Sequence, residues 1–334
     1  AFVSFSLTSV VAAGVADRLG ARGASMLASA LGVAGLGLIS QARDALALAI
    51  GVFACGICTG LMMPALSAGA EAAVHPRLHG RVTAVMNAGT SAGVAFSVPA
   101  VLLLADAWRA AYLSFAVLAA IGLVAAWWQV PAASGAASHV AAEKPPITSA
   151  QRGALARLVL FASGMGMVSA AYWVFAPDLA VVQGGMTAGE TGLLWLTVGL
   201  VGLGGGLAGD MIDRQGAAAT QGVALVVMAV ALALLAAAPG QLPLALLSAG
   251  LFGLAYMTLT AVYLIIGIRL LPARPSLGPV LPFLSVAVGQ AVGSPLVGLV
   301  VERFGYTPAF LAFAALGIGV ATGSRRFPGS RHGG

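Results

Sequence analysis

The sequence predicts an all-α, polytopic membrane protein built as two pseudo-symmetric helical bundles, and three observations carry that prediction. Apolar residues make up 60% of the 334-residue chain, charged residues only 8%, and the mean hydropathy is +1.00. A soluble domain carries about a quarter charged residues. Apolar runs of about 18 residues or more recur along the whole length, enough for a helix to cross the hydrocarbon core. The alternating ten-residue segments of a membrane barrel do not occur. The chain also repeats itself at a fixed offset. Asp17-Arg18-Leu19-Gly20 returns 196 positions later as Asp213-Arg214-Gln215-Gly216, and the same spacing relates Pro76 to Pro272, Gly93 to Gly289, Pro99 to Pro295 and Asp106 to Glu302. One half is therefore a diverged copy of the other.

Taken in order, apolar spans are expected near 1–16, 24–40, 45–70, 82–104 and 110–128, with a turn over Asp17–Gly23 between the first two. These make an N-terminal bundle over residues 1–128. A polar, Ala/Ser/Pro-containing stretch over 129–154 reads as the linker between the halves. Spans near 155–176, 190–209, 217–238, 244–268, 279–301 and 308–323 form the C-terminal bundle over 155–323, and 324–334 is a polar tail. Shifting 155–176 back by the repeat offset places its counterpart upstream of Ala1, inside an apolar run that lacks an initiator Met. The expectation is eleven of twelve spans, with the first transmembrane helix missing by truncation.

Loop charge sets the orientation. Of sixteen Lys and Arg, only Arg43, Arg109 and Arg303 fall on one side; the other thirteen lie in the alternate loops, the linker and the tail. The positive-inside rule makes that richer side, including both Asp-Arg-x-Gly turns and the C-terminus, cytoplasmic. A bacterial inner membrane is the expected location. The net charge of +6 is dispersed among short loops, so no nucleic-acid partner is expected. Cys55 and Cys58 lie inside an apolar span and read as packing rather than a metal or redox site. Gly202 to Gly206 also lie within a span, with no strand before them, and suit helix contact better than a phosphate loop. His75 and His79 flank Pro76 in a basic loop. No metal or other cofactor is expected.

The two turns, Ala13-Gly14-Val15-Ala16-Asp17-Arg18-Leu19-Gly20-Ala21-Arg22 and Gly209-Asp210-Met211-Ile212-Asp213-Arg214-Gln215-Gly216, resemble the cytoplasmic turns of the major facilitator superfamily. Trp108-Arg109 before the sixth full-length span is also similar to the family. Gly289-Gln290-Ala291-Val292-Gly293-Ser294-Pro295 and the Trp195 region look most similar to its bacterial YbfB/YjiJ-like branch. The first turn has Ala13 where the family has Gly, and the second lacks the trailing basic pair. The resemblance implies secondary transport by two rocking bundles, with gating roles for Asp17, Arg18, Gly20, Arg22, Gly209, Asp213, Arg214 and Gly216. Glu71 is the expected partner of Arg18 or Arg22. An ionised Asp suits the N-terminus of a helix from the other half, so Asp17 is expected to face Gly278–Val280 and Asp213 to face Arg81–Thr83. The glycine-rich antiporter motif is partial here, with Gly89 and Gly93 but no following Pro, and export direction draws no support from it.

All ten acidic residues fall in loops or near span ends, so the mid-membrane ionisable group that signals a proton relay is missing from this map. Protons as coupling ion would have to use Asp178, Glu190 or a segment upstream. The resemblance implies a path lined by the family's first, fourth, seventh and tenth spans. The candidates are Thr59 and Met62; Met165, Ser169, Tyr172 and Trp173; and Tyr256, Thr260 and Tyr263, with Asn87 and Gln290 on neighbouring spans. Aromatics with a few neutral polar groups describe a pocket for a small organic solute. Helix packing is the competing role for each. The expected protein is a monomer in the lipid bilayer and not an enzyme, since no convergent catalytic set is visible. A transporter-fold sensor or interaction protein is the alternative.

Overall fold

The computed structural model describes residues 2–104, 107–131, 145–274 and 277–328, and every regular element among them is helical. The helices are α1 (Phe2–Gln41), α2 (Ala45–Ala73), α3 (His79–Leu103), α4 (Trp108–Gln129), α5 (Ser149–Val182), α6 (Ala188–Gly202), α7 (Ala208–Gln215), α8 (Ala217–Ala237), α9 (Leu242–Leu270), α10 (Leu277–Phe304) and α11 (Tyr306–Thr322). Short 3₁₀ turns occupy Pro76–Leu78, Leu203–Leu207 and Gly323–Arg326.

Among the described residues, nine stretches are long and apolar enough to cross a membrane, from Gly14–Gln41 to Tyr306–Arg326. The chain is a multi-pass membrane protein. The eleven expected spans exceed these nine by the first part of α1 and by α3, both of them helical. α3 is the more polar helix, carrying Thr83, Asn87, Thr90, Ser91 and Ser97. Most of the expected linker, 132–144, lies outside the described residues, as do Asp106 and the tail beyond 328. Part of that linker is helix: α5 begins at Ser149, where Thr148 and Gln151 form a reciprocal capping box. Two orphan N–H groups satisfied at once outweigh the polar composition that suggested a loop. A second such box, Thr187 with Glu190, starts α6, and Asp44 caps α2 by accepting from the Ala47 N–H at 2.7 Å.

The two repeated turns adopt one geometry. α1 runs through the expected Asp17–Gly23 turn and breaks only at Gly20, which has φ 69° and ψ 171°. Gly216, its counterpart 196 residues on, separates α7 from α8 with φ 88° and ψ 156°. This region is essentially closed to residues with a Cβ, so each copy of the motif spends its glycine on a one-residue reversal of helix direction. Gly20→Ala and Gly216→Ala are each expected to destabilise the protein by about 1–3 kcal/mol. Gly319→Ala is the matched control, since an added Cβ there meets open space inside a helix. Thermal unfolding in detergent should separate the first two from the third.

Contacts divide the chain into two compact units: Ala1–His79 with Leu103–Ile147 and Leu271–Val280, and Gly80–Leu102 with Thr148–Leu270 and Leu281–Gly334. This grouping cuts across the expected halves, because 80–102 goes with the second unit and 271–280 with the first. In the first unit α1 packs on α2 and α4. The Cys55 and Cys58 thiols sit in notches opened by Gly35 and Gly32, as expected of packing residues. Arg109 reaches the Ala42 carbonyl at 2.8 Å while its guanidinium lies 4.2 Å above the Trp108 ring. In the second unit α5 contributes a stripe of four residues spaced seven apart, Leu158, Met165, Tyr172 and Leu179, each at most 1% exposed. α3 joins this unit through glycines. A Cβ at Gly199 or Gly202 would strike Ala95 or Ser91, and one at Gly209 would come within 2.9 Å of the Gly80 backbone.

Candidate functional site

The second unit places two groups of polar side chains in different parts of its helices. The first group depends on how closely α5 and α10 approach. A Cβ at Gly289 would collide with the Ser163 carbonyl, one at Gly166 with the Val286 carbonyl, and one at Gly293 would lie 2.8 Å from the Met167 oxygen. Small residues at four-residue spacing let two backbones touch, the usual device in lipid. Gly253 makes the same kind of contact between α9 and Val198 of α6.

That approach brings Gln290 to its partners. Its Nε2 donates to Ser169 Oγ on α5 and to the Tyr256 hydroxyl on α9, each at 3.3 Å. Tyr256 is the midpoint of Leu242–Leu270, and Gln290 lies within one residue of the midpoint of Leu277–Phe304. Trp173 stacks on Trp195 of α6 with centroids 5.2 Å apart and planes at 16°, and meets Tyr256 edge-on at 5.1 Å. The Trp173 indole nitrogen is buried and makes no hydrogen bond of acceptable geometry, Tyr256 beside it included. An unsatisfied donor in such surroundings costs roughly 1–3 kcal/mol. Trp173, Trp195, Tyr256 and Gln290 are all partly exposed, so the group forms an accessible patch on this unit.

The other candidates are placed as follows. Asn87 on α3 donates to Thr260 Oγ1 at 2.8 Å and to the Met257 carbonyl at 3.1 Å. This neutral pair binds α3 to α9 and is buried. Tyr172, next in sequence to Trp173, turns to the opposite environment. It is 1% exposed, stacks on Phe252 at 4.0 Å, and bonds Ser248 Oγ at 3.1 Å. Tyr263 is likewise buried, with its hydroxyl on the Phe161 carbonyl. Thr59 and Met62 belong to the first unit. Thr59 bonds back to the Cys55 carbonyl at 2.9 Å, and Met62 packs beside the Ala12–Ala28–Leu61 cluster. Trp195 had no place among the pocket candidates; only its stacking on Trp173 brings it in. An isolated Trp in the Leu193-Leu194-Trp195-Leu196 run was the signal available.

The second group lies at the α7–α8 turn. Arg81 makes a forked ion pair with Asp210, Nε–Oδ1 2.6 Å and Nη2–Oδ2 3.2 Å. Asp213, one turn on, pairs instead with Arg269 of α9 at 3.1 Å. Hydrogen bonding and charge from Asp210, with a smaller contribution from Asp213, hold the Arg81 guanidinium above its ordinary range. The acid that takes Arg81 is thus Asp210, and Asp213 braces α9. Asp213, Gly216 and Arg269, with Ile212, Ala217, Ile266 and Leu270, line a cleft of about 240 Å³. Gly209 is the point of contact with Gly80, and Arg214 is exposed. In the first unit Arg22 donates to the Val130 carbonyl at 2.8 Å. Asp17 and Arg18 are exposed on α1. Glu71 is within α2, and its side chain lies outside the described residues. His75 Nδ1 accepts from the Arg77 N–H, and a His79 ring nitrogen contacts the Val74 carbonyl.

A fold that is all-helical among the described residues, with multiple membrane spans, a neutral polar patch at helix midpoints and duplicated charged turns, has the architecture of a membrane transporter. Residues 1–276 match the Major Facilitator Superfamily, and the chain belongs to that family. Its fold is similar to that of the human organic anion transporter MFSD10 (TETRAN), with a TM-score of 0.77, 18% sequence identity, and coverage of 96% of this chain and 80% of that one. No curated protein matches the sequence.

Proposed function

We propose that this protein is a secondary active transporter that carries a small organic solute by alternating access. The observation that carries this reading is the Gln290–Ser169–Tyr256 hydrogen-bond set beside Trp173 and Trp195. Polar side chains at mid-membrane depth are costly unless they serve a function, and transporters of this kind bind cargo near the midplane. The rocking bodies are the chain halves 1–128 and 155–323, joined by 129–154. The turns at Asp17–Arg22, with Glu71, and at Gly209–Gly216 bias which side is open. Asn87 and Thr260 couple α3 to α9 near the patch. The charged turns and the C-terminus face the cytoplasm of a bacterial inner membrane, and the protein works as a monomer.

Uptake of a panel of neutral, anionic and cationic organic solutes into proteoliposomes, with and without an imposed pH gradient, tests the reading. Gln290→Ala is expected to lower uptake of the transported solute at least tenfold, about 1.4 kcal/mol of lost binding, because it frees both Ser169 and Tyr256. Acceleration by the gradient assigns the coupling to protons, with Asp178 and Glu190 as the next residues to replace. An absence of flux for every solute would replace transport with a sensor role.

A further inference from the structure

The patch around Trp173 also constrains what kind of solute it accepts. Its hydrogen-bonding capacity is unevenly used. Gln290 spends Nε2 on Ser169 and Tyr256, which leaves its Oε1 as an acceptor. The Tyr256 hydroxyl accepts from Gln290 and keeps its own proton to donate. The Trp173 N–H is buried against the Tyr256 hydroxyl but makes no hydrogen bond of good geometry to it. A native protein that retains an orphan buried donor calls for an explanation, and in lipid water is a poor source of one. A bound acceptor would satisfy Trp173 and Tyr256 together.

Charge narrows the class further. Every side chain forming the patch is neutral. The nearest acids along the same helices are Asp178, five positions beyond Trp173 and exposed, and Glu190, five before Trp195 and already accepting from Thr187. No basic side chain belongs to the group. A charged solute entering it would be stripped of water with no counter-ion among the patch side chains, which is strongly unfavourable. The walls are flat: two parallel indoles and a phenol set edge-on.

We propose that the cargo is an uncharged, planar aromatic or conjugated solute whose carbonyl oxygen or ring nitrogen accepts from the Trp173 indole N–H and the Tyr256 hydroxyl. A donor on the same solute answers Gln290 Oε1, so a primary amide on an aromatic ring presents both functions. This rests on the patch being the cargo site of the transport reading above.

The test uses matched probes on the purified chain in lipid nanodiscs. Benzamide, benzoate and benzylamine share one ring and differ in charge; the naphthalene-sized amide, acid and amine repeat the series. Binding is read by calorimetry and ligand-induced thermal shift. At least one amide is expected to bind, tenfold or more tighter than its acid and amine counterparts. Trp173→Phe, which keeps a ring and removes the N–H, and Tyr256→Phe, which removes the hydroxyl, should each weaken the amide about fivefold or more, the effect of one lost hydrogen bond. The proposal is overturned by binding of neither amide, by equal or tighter binding of the charged probes, or by wild-type affinity in both folded variants. Uptake separates its failure from that of the transport reading. Flux confined to charged solutes would sink the neutral class and leave transport standing. Amide binding that depends on Trp173, without flux of any solute, would sink transport and leave the patch chemistry intact.

Discussion

Gly289→Leu is expected to abolish cooperative folding of the second unit, or to lower its stability by about 3 kcal/mol or more, at the upper end of what overpacking costs. A Cβ at this position meets the Ser163 carbonyl oxygen, with Ser163 C at 2.8 Å and Met167 N at 3.0 Å. All three are backbone atoms of α5, so no rotamer change can make room. The larger side chain must push α10 away from α5, and Gln290, the next residue, would leave Ser169. Proteins are stable by only about 5–15 kcal/mol, so a loss of this size should show as aggregation on gel filtration and a much lower unfolding temperature. Gly319→Leu on α11, whose Cβ would meet nothing within 4 Å, provides the contrast and should unfold close to wild type. A wild-type unfolding temperature for Gly289→Leu would mean that α5 and α10 do not touch where the glycines place them.

Tyr172→Ala is expected to cost about 3–5 kcal/mol, the range for emptying a buried aromatic site. The ring fills space between Phe252, stacked at 4.0 Å, and Phe310, whose centroid is 6.5 Å away. Removing it leaves those rings without contacts on one side. Tyr172→Phe keeps the ring and loses only the hydroxyl. Ser248 retains its bond to the Ala231 carbonyl at 2.7 Å, so the loss should be close to that of one hydrogen bond, about 1 kcal/mol. Transport should survive Tyr172→Phe, because the side chain is sealed inside the unit, and fail with Gln290→Ala, whose side chain is partly exposed. Loss of uptake in a stably folded Tyr172→Phe protein would return Tyr172 to the cargo path. This pair of substitutions separates packing from binding at two of the residues that the family resemblance put in one class.

The sequence by itself determined that the chain is a bundle of membrane helices, because apolar runs of this length have no other stable form in lipid. It also determined the repeat, and with it the two glycines: Gly20 and Gly216 occupy matching positive-φ positions since only glycine is at ease there. The start of α5 was legible in Thr148-Ser149-Ala150-Gln151 but was masked by the polar composition around it. Tertiary structure decided the phase of each helix and therefore what each polar residue touches. Tyr172 and Trp173 are neighbours in sequence, yet a step of about 100° around α5 sends one into the core and the other to the patch. Asp210 and Asp213 lie on one side of α7, but α3 and α9 each take a different one. Gln290 announces a polar group in a membrane span, whereas its partners Ser169 and Tyr256 are 121 and 34 residues away. That meeting depends on glycine notches at 166, 289 and 293, and a local pattern in the sequence carries no record of which backbone each notch will face.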